Sequence, residues 1–68
     1  MITERRRKLL ESASIQPDDV RFDTGRAIGG DFIRVRHIPS GIERLAMRAD
    51  GRTHDDLLVE VIDELLRR

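Results

Sequence analysis

Phe32-Ile33-Arg34-Val35-Arg36-His37-Ile38-Pro39-Ser40-Gly41-Ile42-Glu43-Arg44-Leu45-Ala46-Met47-Arg48-Ala49 is the stretch that decides the fold. Residues 32–38 alternate apolar and polar side chains, the period-2 pattern of a half-buried strand. Pro39-Ser40-Gly41 is turn chemistry, with Gly41 free to take a positive φ at the exit of a three-residue loop. The continuation has two readings. Ile42, Leu45, Ala46 and Ala49 recur at helical spacing, and Ser40-x-x-Glu43 has the form of a capping box. The turn instead implies a hairpin. If Ile38 pairs with Ile42, then Val35 faces Leu45 and Ile33 faces Met47, and one face of the hairpin is consistently apolar. The strand reading is preferred on that register.

Outward from the hairpin, Val20-Arg21-Phe22-Asp23-Thr24 alternates in the same way and predicts a preceding strand, with residues 25–30 as a loop. Thr3 is a plausible N-cap for a first helix over about residues 4–14, with Glu4 in its first turn. The apolar stripe of that helix is thin, Leu9, Leu10 and Ala13, with Ile2 and Ile15 at its ends, and Pro17 is expected to stop it. On the other side, Asp50-Gly51 breaks the chain and Thr53 caps a second helix. Asp55 and Asp56 open that helix and Arg67 and Arg68 close it, both favourable to the macrodipole. Leu58, Val61, Ile62 and Leu65 form its core-facing stripe. The expected architecture is a single domain over residues 1–68. It is a small two-layer α+β domain of order α-β-β-β-α, an antiparallel sheet with helices packed on one face.

A chain of 68 residues supports only a thin core. It has no cysteine, which excludes disulfide staples and thiolate metal sites and fits a reducing, cytoplasmic setting. His37 and His54, its only histidines, fall in different elements, so no metal or other cofactor is expected. No apolar run approaches the roughly 20 residues of a membrane span. The basic start, Arg5-Arg6-Arg7-Lys8, lacks the apolar stretch of a signal peptide. The formal net charge is zero, and Lys8 is the only lysine among 13 basic residues. Arginine makes planar, bidentate contacts with phosphate and carboxylate that lysine does not.

With Ile33, Val35, Leu45 and Met47 turned inward, Arg34, Arg36, Arg44 and Arg48 point outward, and Arg36 stands opposite Arg44. Like charges facing each other across strands call for an anionic partner or a neighbouring carboxylate. Arg21 and Asp23 extend or partly neutralise this face. The leading expectation is therefore a non-catalytic module that contacts RNA or the ribosome through these four arginines. The chain has only two aromatic residues, Phe22 and Phe32, too few for base-stacking platforms. The second expectation is a protein-interaction or homo-oligomeric module. It would use the last helix, where Leu57, Leu58, Val59, Val61, Ile62, Leu65 and Leu66 exceed the needs of one core face.

No catalytic constellation emerges. His37 is expected opposite Glu43, a structural pair, and Gly29-Gly30 is too short for a phosphate loop. The α-β-β-β-α order resembles the double-stranded RNA-binding fold. That fold opens its last helix with a lysine cluster, whereas residues 51–56 here are Gly-Arg-Thr-His-Asp-Asp. A second resemblance rests on residues 20–30, residues 33–42 and the Arg52-Thr53-His54 helix start, with His37-Ile38-Pro39-Ser40-Gly41-Ile42 the most distinctive part. Over about residues 20–66 the chain is similar to the catalytic domain of bacterial peptide-chain release factors. That family's Gly-Gly-Gln loop promotes hydrolysis of peptidyl-tRNA. Here Asp31 follows Gly29-Gly30 and the intervening loop is missing. The resemblance implies a scaffold without its hydrolytic tip that keeps contact with ribosomal RNA, and hence no enzyme.

Overall fold

The computed structural model describes residues 3–68; Ile2, expected at one end of the first helix's apolar stripe, lies outside the described residues. The elements run α1 (Glu4–Ser12), β1 (Val20–Ala27), β2 (Gly30–His37), β3 (Ile42–Met47) and α2 (His54–Leu66). Short 3-10 turns at Pro17–Asp19 and Arg48–Asp50 lead into β1 and out of β3. The strands form one antiparallel sheet in the order β1-β2-β3. Residues 42–47 are thus strand, and the α+β architecture is as the hairpin reading predicts. Among the described residues no helix is long and apolar enough to cross a membrane.

Thr3 caps α1 by accepting a hydrogen bond from the Arg6 amide at 3.2 Å. The helix stops at Ser12 rather than at residue 14, and Pro17 is not the cause. Ser14 takes a left-handed φ of 56°, and the Ile15 amide folds back to the Leu10 carbonyl at 2.9 Å. The carbonyls at the helix end are satisfied by that reversal.

β1 is longer than expected because Gly25 does not break it. Gly25 pairs with Phe32, whose ring lies across it; a Cβ at Gly25 would sit 2.5 Å from the ring Cζ. The aromatic covers backbone that glycine alone leaves bare. The loop expected over residues 25–30 shrinks to a turn at Ile28 and Gly29, closed by Gly30 at φ 124°.

The β2–β3 loop is longer by one residue than the expected Pro-Ser-Gly loop, and this corrects the register. Strand pairing ends at His37↔Ile42, with residues 38–41 in the turn. The Gly41 amide reaches the His37 carbonyl at 3.0 Å, and Ser40 Oγ accepts from the Ile42 amide at 3.2 Å. Ile38 leaves the strand pairing, its amide donating to the Asp19 carbonyl at 2.8 Å. A slip of one residue turns every side chain of a strand to the other face. Val35 therefore faces Arg44, Ile33 faces Ala46, and Arg36 faces Glu43 rather than Arg44.

The core is a single cluster of Leu10 from α1, Val20, Ile33, Val35, Ile42 and Ala46 from the sheet, and Leu57, Leu58 and Val61 from α2. Leu9, Ile15, Phe22, Ile62 and Leu65 pack against it, half-buried. All the buried sheet residues lie on one face, so the helices cover that face alone. α2 begins with a complete capping box: Thr53 Oγ1 accepts from the Asp56 amide, and the Asp56 carboxylate accepts from the Thr53 amide at 2.9 Å.

Candidate functional site

The face of the sheet away from the helices is a grid of three rows. One row is Arg21–Arg36–Glu43, the next Asp23–Arg34–Leu45, the third Gly25–Phe32–Met47. Alternation along each strand places these residues opposite the buried set. Charge gathers at one corner and apolar surface at the other. Leu45 is 51% exposed, and Phe32 and Met47 are half-buried.

The four arginines expected on one face are divided. Arg34 and Arg36 are on the outer face. Arg44 is on the helix side, where its guanidinium approaches Glu64 at 3.6 Å and Glu60 at 4.0 Å in α2. Arg52 also pairs with Glu60. Arg48 lies beyond β3 in the second 3-10 turn, exposed. The physical cause is the longer loop, which reverses the faces of β3.

Arg34 is committed as well, donating to the Asp23 carboxylate through Nε at 3.2 Å and Nη2 at 3.0 Å. Arg36 differs. It is flanked by Arg21 on β1 and Glu43 on β3, and its Nε is buried without a hydrogen-bond partner. Among the described residues neither Arg21, Arg36 nor the Glu43 carboxylate belongs to an ion pair within 4 Å. Arg21, Arg36, Asp23, Glu43, Ile38 and Gly41 line an open concavity of about 790 Å³. The role of Arg21 is visible in the sequence only once the β1–β2 register is known.

Both histidines and Arg6 make contacts within the fold. His37 Nδ1 is 2.7 Å from Ser40 Oγ, inside the turn, instead of meeting Glu43. His54 Nε2 lies 2.8 Å from the Asp23 carbonyl, so that nitrogen carries the proton and donates. The His54 ring also meets Phe22 edge-on, and the Arg6 guanidinium lies over the Phe22 ring, 4.5 Å from its centroid, while bonding Asp55 at 2.7 Å. Arg6 is thereby withdrawn from the basic run, and Arg5 and Arg7 stay exposed. Among the described residues no three His, Asp or Glu side chains gather closely enough to hold a metal ion. On α2, Leu57, Leu58, Val61, Ile62 and Leu65 are all taken up by the core, leaving Val59 and Leu66 exposed.

No family model matches the chain, and neither a curated protein nor a solved structure of significant similarity was found.

Proposed function

We propose that the chain is a non-catalytic binding module that meets a protein partner with the outer face of its sheet. The observation that carries this reading is the juxtaposition of half-exposed Leu45, Phe32 and Met47 with the uncommitted Arg21 and Arg36. Aromatic, methionine and arginine side chains are the types enriched at protein interfaces, usually an apolar centre with a polar rim.

The geometry favours this reading over contact with RNA or the ribosome. Arg44 and Arg48 leave the face, Arg34 is neutralised by Asp23, and Glu43 stands beside Arg36. Two uncommitted arginines on this face neutralise two phosphates at most, too few for strong backbone binding by the face. The outer face is also a better candidate than α2, most of whose apolar side chains already serve the core and leave only Val59 and Leu66 exposed.

Photo-crosslinking tests the reading. A crosslinking residue at position 45 or 47 is expected to trap a protein adduct, and one at position 66 is not. Amides of residues 32–48 are expected to ignore generic RNA at low salt. RNA-induced shifts at Arg21 and Arg36 that vanish with added salt, without an adduct from position 45, would replace the protein by RNA.

A further inference from the structure

We propose that Arg21 and Arg36 form an anchoring site for a side-chain carboxylate, so that the partner presents an acidic residue next to an apolar one. The inference rests on the outer face being the interaction surface and names the chemistry recognised there. Arg21 and Arg36 are direct cross-strand partners on the outer face. Two like charges so placed repel unless an anion lies between them. Every other arginine on the sheet that approaches an acid is committed: Arg34 to Asp23, Arg44 to Glu60 and Glu64, and Arg26 to Asp31 at 3.8 Å. Arg36, by contrast, holds a buried Nε with no acceptor. A buried charged donor without an acceptor is costly, so this guanidinium gains from an acceptor at its other N–H groups.

The surroundings select the ligand. Glu43 and Asp23 line the same concavity, so a singly charged carboxylate meets less repulsion than a doubly charged phosphate. A planar carboxylate also accepts two parallel N–H bonds from a guanidinium fork. Ile38, 47% exposed, borders the concavity, and Leu45 follows Glu43 on the same face of β3. An apolar residue beside the acid would cover these two.

Titration of the wild-type protein, followed by arginine Nε–H and backbone amide spectra, provides the test. The probes are a synthetic peptide alternating glutamate and leucine, its glutamine counterpart, and inorganic phosphate. The glutamate peptide is expected to shift the Nε–H resonances of Arg36 and Arg21 and to bind at least about tenfold tighter than the glutamine peptide. Arg36→Gln and Arg21→Gln should each abolish that preference while the Leu45 amide still responds to both peptides. Arg36→Lys, which keeps charge but not the planar fork, replaces Arg36→Gln if the latter does not fold. A response at Leu45 with silent arginines overturns the anchor and leaves the face as the binding surface. Phosphate shifting both arginines at lower concentration than the peptide overturns the carboxylate in favour of a phosphate-bearing ligand. Silence of both arginines and Leu45 overturns the anchor, and crosslinking from position 45 then judges the face separately.

Discussion

At Asp56 one carboxylate links helix initiation to pH. Its pKa is held below the ordinary 3.8, first by the hydrogen bond from the Thr53 amide, then by the Thr53 side chain, with Arg52 and Arg5 adding attraction. A group whose pKa falls on folding contributes stability above its unfolded value and loses it as the pH drops through the folded one. The thermal midpoint of the wild type should therefore decline more steeply than that of Asp56→Asn as the pH falls from just above 3.8 into the acid range below it. Parallel curves would remove the capping box as a pH-sensitive element. Ser14 poses a different single-residue question. A side chain at φ 56° pays for a left-handed conformation that glycine adopts freely. Ser14→Gly is expected to raise stability by about 0.5 kcal/mol in denaturant titration, the relief of strain being partly offset by a more flexible unfolded chain.

The β2–β3 hairpin shows how far element-scale reading reaches. Alternation over residues 32–38 and the Pro39-Ser40-Gly41 turn were enough to choose strand over helix for residues 42–47, and with it the α-β-β-β-α order. The face of β3 was not legible, because both registers bury apolar residues: Leu45 and Met47 in one, Ile42 and Ala46 in the other. Loop length decides between them, and it depends on one contact from outside the hairpin as well as on side-chain bonds within the turn. Ile38 is drawn out of the pairing by the Asp19 carbonyl, and His37 and Ser40 close the wider turn. The candidate site inherited this error, since Arg44 and Arg48 belong to the reversed strand region, whereas Arg34 and Arg36 on β2 were placed correctly relative to the core. Truncation separates the registers. Ile42→Ala, at a position 6% exposed, is expected to cost about 2–4 kcal/mol. Leu45→Ala, at 51% exposure, should stay within about 0.5 kcal/mol. The opposite ranking in urea unfolding would restore the three-residue loop.

Across the whole molecule, polar contacts fasten the helices to the sheet at both its edge strands. Arg44 of β3 approaches Glu60 and Glu64 of α2, and β1, the strand that contributes least to the core cluster, is held by both helices. Arg6 of α1 bonds Asp55 of α2 and lies over Phe22 of β1, and His54 of α2 donates to the Asp23 carbonyl. Asp23 in turn holds Arg34 of β2, so one chain of contacts joins both helices to two strands. His54 also takes up one backbone carbonyl of β1, an edge strand whose open backbone would otherwise invite pairing with another chain. Arg6 and Asp55 are separated by 49 residues in sequence, and their side chains are only 23% and 24% exposed. Screening by water is weaker there than for a surface pair, which is typically worth less than 1 kcal/mol. The pair should therefore couple in a double-mutant cycle, with Arg6→Ala and Asp55→Ala together costing less than the sum of the singles by about 1 kcal/mol. Phe22→Leu keeps the apolar contact but removes the ring face, and should lower the cost of Arg6→Ala by a few tenths of a kcal/mol, the share of the cation–π contact. If the two costs add without coupling, α1 is held to the rest of the molecule by Leu10 and its apolar neighbours alone.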